Sequence, residues 1–181
     1  MQNKYTLFIG ERTIKAHSII NENVEAKVIR LTIKEIQDLE LFPILKDELY
    51  GQIENEIVKK TEDSNHVMDE KIKNLLDNYI KDFLIYGTLL NITTPLNYKY
   101  GNKGVSNITD ANADNIVGGQ IENVKKFYRS KYDTYRKRLI DFVNESCGAN
   151  ITIAPFSTGW YLTKSIDIVK ASEANHYKTG R

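Results

Sequence analysis

The stretch Ile121–Phe142, IENVKKFYRSKYDTYRKRLIDF, decides how the rest of the chain is read. Ile121, Val124, Tyr128, Tyr132, Tyr135, Leu139 and Phe142 follow one another at spacings of 3, 4, 4, 3, 4 and 3. That rhythm places them on one face of an α-helix. The helix is expected to start near 117–120 and to end near 147–148, where Gly148 is a natural C-terminal stop. At ~1.5 Å per residue it would be about 40 Å long. Lys125, Lys126, Arg129, Lys131, Arg136, Lys137 and Arg138 surround the stripe. Cations interleaved with aromatic rings are the pattern of nucleic-acid contact. The rings keep core spacing along the whole helix, however, and this favours rings turned inward with cations in water. Lys125, Arg129 and Arg136 are the candidate cations for lining a passage for DNA.

Working outward, three more helices are expected upstream. The first runs over 24–40 behind Asn23, a residue suited to N-capping, with Ile29, Ile33 and Ile36 on its apolar stripe. Pro43 then restarts the chain, and Leu45, Leu49, Ile53 and Ile57 mark a second helix over 44–60. Gly51 inside it is the expected place for a kink or a close backbone approach. The third helix covers 69–90, and its broad face from Ile72 to Tyr86 suits a central position. Residues 91–116 carry Pro95, Gly101, Gly104 and many Asn, Asp and Thr residues. A connection of this length is unusual inside a compact domain and is often functional. Tyr98, Tyr100, Asn102 and Lys103 are its candidate contact residues.

Both termini differ from this helical middle. Thr6–Ile9 and Ile151–Ala154 leave room for short strands. Pro155–Arg181 has the composition of an extended tail, yet it holds Phe156, Trp160, Tyr161 and Leu162. A tail that packs on nothing has little use for such side chains, so these four are expected to dock on a partner. The expected architecture is mainly α: a bundle of about four helices with a long loop between the third and fourth. It forms one domain over 1–154, followed by a tail over 155–181.

Composition narrows the function classes. Lys and Arg total 25 against 24 Asp and Glu, a balance unlike that of a dedicated nucleic-acid binder. Cys147 is the single cysteine, so no intrachain disulfide forms. The apolar run Tyr5–Ile9 is too short for the core of a signal peptide. No stretch approaches the roughly 20 apolar residues of a membrane span, so no membrane partner is expected and synthesis in a reducing cytoplasm is. Tyrosines number 11, against 6 Phe and 1 Trp, and they suit surfaces buried against a partner but still hydrated.

No constellation points to catalysis. His17, His66 and His176 lack a second ligand at metal-site spacing. Asp110 and Asp114 lie in a stretch without the Gly and terminal Glu of a calcium loop. Gly101–Gly104 is a fragment of a phosphate loop without the Lys-Ser/Thr ending. Asp47 with Glu48 and Glu54 with Glu56 read as solvated helix surface. Neither a cofactor nor an enzymatic activity is expected.

One set of segments has a family likeness. Ile33-Lys-Glu-Ile-Gln-Asp, Phe42-Pro-Ile-Leu, Leu49-Tyr50 and Leu75-Leu-Asp-Asn-Tyr-Ile-Lys-Asp-Phe-Leu come first. Asn102-Lys-Gly-Val, then Tyr128, Tyr132, Tyr135 and Arg138-Leu-Ile-Asp-Phe, come later. Together they resemble head–tail connector proteins of tailed bacteriophages, most nearly the neck ring proteins of crAss-like phages of Bacteroidetes. The likeness spans roughly 13–144 and rests on packing and loop residues. It implies a helical bundle with a protruding loop, in a virion ring of about twelve copies below the portal. It implies three partners: the portal, the next neck or tail ring, and genomic DNA in the channel. The alternative, from the residues themselves, is a nucleic-acid-binding helical protein that uses the basic fourth helix.

Overall fold

The computed structural model describes residues 5–102, 104–107 and 118–147, all within one compact unit over Met1–Ile151. Its elements are α1 (Glu11–His17), α2 (Ala26–Ile36), α3 (Phe42–Glu62), α4 (Glu70–Leu75), α5 (Lys81–Asn91), α6 (Thr93–Asn97), β1 (Tyr98–Gly101), β2 (Gly104–Asn107) and α7 (Gly118–Cys147). Single π turns at Gln37–Leu41 and Leu76–Ile80 join α2 to α3 and α4 to α5 without a break. The fold is mainly α, as expected, and α5 is its centre. It packs against α2 on one side and α7 on the other.

The α5–α7 pair is antiparallel, because Tyr79 stacks on Phe142 and Tyr86 on Tyr135. Phe83, Leu84, Ile80, Leu139 and Ile140 between them are fully buried. Each such side chain contributes about 1.5–3 kcal/mol on leaving water. Gly87 sets how closely three helices approach. A Cβ there would stand 2.9 Å from Cγ2 of Ile36 and 3.3 Å from Cε2 of Tyr132. Gly51, where close approach was expected, has nothing within 4 Å of that position.

The first helix does not stop at Glu40, and Pro43 does not restart the chain. Helix α2 begins at Ala26, with Glu25 rather than Asn23 at the N-cap. The reversal comes later, at Lys46, whose φ of 59° and ψ of 174° interrupt α3. Gln37 donates from Nε2 to the Tyr50 hydroxyl at 2.7 Å. In a straight helix those residues would lie about 20 Å apart. The 47–62 portion of α3 therefore turns back towards the Gln37–Leu41 turn. A bulky side chain at such a backbone angle is strained, and the tightly packed Leu45 and Ile44 beside it hold the corner in place.

Thr6–Ile9 is irregular, bending at Phe8 and Ile9, and is not a strand. Its ladder partner is a side chain. The Gln37 amide accepts from the Phe8 N–H at 2.9 Å through Oε1 and donates to the Thr6 carbonyl at 2.8 Å through Nε2. One buried amide thus does what a neighbouring strand would do for this segment. The third helix matches its expected span. Asp69 caps it, with Oδ1 accepting from the amides of Lys71 and Ile72.

The long loop contains structure. It opens with α6 and then forms an antiparallel hairpin in which Tyr98 faces Asn107 and Tyr100 faces Val105. The expected strand at 151–154, the Gly148 stop and the 155–181 tail lie outside the described residues.

Candidate functional site

The α5–α7 seam carries the most organised surface chemistry. Along α7, residues 127, 131, 135, 138 and 142 recur at helical spacing on the flank beside α5. Tyr86 and Tyr135 lie nearly parallel, centroids 4.8 Å apart with 8° between planes. Tyr79 and Phe142 stack at 4.1 Å. Cations alternate with these rings. The Lys131 ammonium is 4.4 Å from the Phe127 centroid and 5.6 Å from that of Tyr86. The Arg138 guanidinium is 5.4 Å from Tyr135 and 6.0 Å from Tyr79. Each contact is worth about 0.5–1 kcal/mol at a surface. Phe127, at 57% exposed, ends the row open to solvent.

The three cations singled out from the sequence lie on the other flank of α7, at spacings of 4 and 7. Arg129 is exposed. The Lys125 ammonium lies 4.0 Å from the Glu122 carboxylate. Arg136 is half-buried, with its Nε withdrawn from water. Asp133 stands between Arg129 and Arg136. Burial raises its pKa against the opposing pull of the two guanidiniums. Inward of them, burial pushes the Tyr132 hydroxyl well up, and nearby Glu40 adds to this.

Of the loop candidates, Tyr98 opens β1 and is 37% exposed, and Asn102 is exposed at the hairpin turn. Tyr100 is placed by strand register alone. Lys103, Phe156, Trp160, Tyr161 and Leu162 lie outside the described residues.

A second polar cluster was not visible in the sequence. Glu56 was expected on a solvated helix face, but it is buried. Its carboxylate accepts from Lys59 Nζ at 2.9 Å and from the Asp69 amide at 3.2 Å, and lies 2.9 Å from His66 Nε2. The Lys59 bond, then those of His66 and the Asp69 amide, hold its pKa down at about 2 against the opposing effect of burial. Lys60 Nζ donates to the Ser64 and His66 carbonyls at 2.6 and 2.8 Å. The Lys59, His66 and Asp69 contacts favour the ionised carboxylate. They latch the 63–69 turn to α3 and leave Glu56 without a proton to give near neutrality. Beside the latch, an open cleft of about 730 Å³ runs between α3, α4 and the end of α7, past Leu49, Gln52, Leu75 and Phe142. Only the positions of Lys59, His66 and Asp69 around Glu56 reveal the cluster, and they converge through the turn rather than through helical spacing.

Among the described residues, no group of three or more His, Cys, Asp or Glu side chains is placed to hold a metal ion. Among them, too, no helix is long and apolar enough to cross a membrane. No curated protein and no solved structure matches the chain. A family model does, one described as a family of unknown function (DUF6712), over residues 41–147. The match begins at the last residue of the first π turn and ends with α7, so it takes in the corner, the latch, the hairpin and the aromatic seam. Since it covers well over half of the 181 residues, the chain belongs to the DUF6712 family.

Proposed function

We propose that this chain is a structural subunit of a phage head–tail connector ring, joining the portal to the tail around the DNA channel. The observation that carries this reading is the succession of segments from Ile33 to Phe142 that resembles neck ring proteins. The distribution of chemistry supports it. Among the described residues, the carboxylate with the most strongly displaced pKa sits in a structural latch, whereas large apolar side chains such as Leu39, Leu31 and Phe127 stand exposed. Groups arranged in this way suit contact with neighbours. In this reading the protein works in the virion neck. Its partners are further copies of itself, the portal and the next ring.

Co-expression with the portal protein of the same genome tests the proposal. A complex that survives purification is expected. A chain recovered free of the portal under all conditions would contradict it.

A second reading, direct nucleic-acid binding through α7, is favoured by the seven Lys and Arg residues between Lys125 and Arg138. The Glu122 and Asp133 carboxylates beside the candidate cations weigh against it. It predicts salt-sensitive binding of short duplexes that Lys125→Gln, Arg129→Gln and Arg136→Gln together abolish.

A further inference from the structure

We propose that two copies of this chain associate head to tail, the apolar and acidic outer ridge that runs from α2 through the first π turn to Phe42 in one seating on the cation–aromatic seam of α5 and α7 in the next. This rests on the ring reading, in which each subunit presents two different faces that fit one another. It adds which faces they are.

The ridge runs along Leu31, Glu35, Leu39 and Phe42, at spacings of 4, 4 and 3. Leu31 is 51% exposed, Leu39 67% and Phe42 38%. Burial of Ile29, Ile33 and Ile36 explains the placement, because these residues turn the opposite side of α2 inward. Ile36 meets Gly87 of α5 there. The ridge therefore faces away from α5, and a single chain cannot lay it on its own α5–α7 seam.

Charge identifies the occupant. On the ridge Glu35 stands exposed between Leu31 and Leu39, while Asp38 is paired with Lys34 and Glu40 interacts with Tyr132. Along the seam the cations are Lys131 and Arg138, with the Asp82 carboxylate of α5 near Tyr135. Each surface also offers exposed apolar side chains, Leu31 and Leu39 on one and Phe127 on the other. Complementary potentials around an apolar centre fix orientation and exclude the like-charged pairing of ridge on ridge or seam on seam.

The seam suits a protein better than a nucleic acid. Bases bind by stacking on open ring faces. Here the Tyr86 and Tyr135 faces already cover each other, as do those of Tyr79 and Phe142. What remains outward is the cationic edge of Lys131 and Arg138, which matches carboxylates such as Glu35.

Charge reversal in the full chain tests the pairing, read by sedimentation across a concentration series. One variant carries Lys131→Glu with Arg138→Glu, the other Glu35→Lys with Leu39→Lys. Wild type self-associates, each variant alone does so about tenfold more weakly or worse, and an equimolar mixture regains wild-type association. Recovery on mixing also shows that both variants are folded. Wild type that stays monomeric at every concentration overturns this proposal; the ring reading falls with it only if the chain also adds no mass to the portal. Wild type that associates while the reversals change nothing, or variants that fail to restore each other, overturns the choice of faces alone. A seam variant that loses duplex binding but keeps its self-association assigns the seam to nucleic acid and also overturns the proposal.

Discussion

Gly87 and Ile36 touch so closely that a Cβ on the glycine would stand 2.9 Å from Cγ2 of the isoleucine. The contact sets the spacing of α2 and α5, and the Tyr132 ring closes it from α7. Gly87→Ala gains about 1 kcal/mol of helix propensity. It also forces two packed side chains to move, which costs about 1–3 kcal/mol. We expect a net loss of about 1 kcal/mol, read as a lower midpoint in urea. Gly51→Ala, where the added methyl meets nothing, should instead stabilise.

The corner at Lys46 gives a prediction of opposite sign. Its φ of 59° with ψ of 174° is a conformation that only glycine adopts without strain, and the strain costs about 1–3 kcal/mol. Glycine also loosens the unfolded chain, by about 0.4–1 kcal/mol. Lys46→Gly should therefore raise stability by about 1 kcal/mol and the melting temperature by about 2–4 °C. An unchanged or lower melting temperature would count against the corner.

Gln37 holds the N-terminal segment by both ends of one amide. Gln37→Leu leaves the Phe8 amide without its partner in a buried setting, at a cost of about 1–3 kcal/mol. Hydrogen exchange should show the Phe8 amide losing protection first, with α7 little changed.

The Glu56 latch makes stability depend on acid. The folded-state pKa lies near 2, below its ordinary 4.5, so ionised Glu56 stabilises the fold above pH 4.5. That contribution falls away as pH drops through 4.5 towards 2. Glu56→Gln should lower stability at pH 7 and flatten this part of the profile. The 63–69 turn should become the first site of proteolysis.

Helix content was legible because apolar residues recur at helical spacing, in a single stripe along α7 and over a broad face along 69–90. The corner was not. Pro43 is a visible breaker that fits within a first helical turn, whereas Lys46 carries no signal of a left-handed backbone. The Thr6–Ile9 segment read as a strand because its apolar run is the same whether a neighbouring strand or the Gln37 amide satisfies its backbone. Glu56 looked solvated because its partners His66 and Asp69 reach it only after the turn closes. The seam was half legible. The cations and rings of α7 were evident, but Tyr79 and Tyr86, which stack on them, come from α5 and the π turn before it.

Mass photometry of the full chain, alone and with the portal protein of the same genome, tests the central claim most directly. The connector reading predicts a discrete species at the mass of a closed ring of about twelve copies, formed on the portal or at high concentration. A single peak at 20.8 kDa under every condition, with no added mass on the portal, would contradict it.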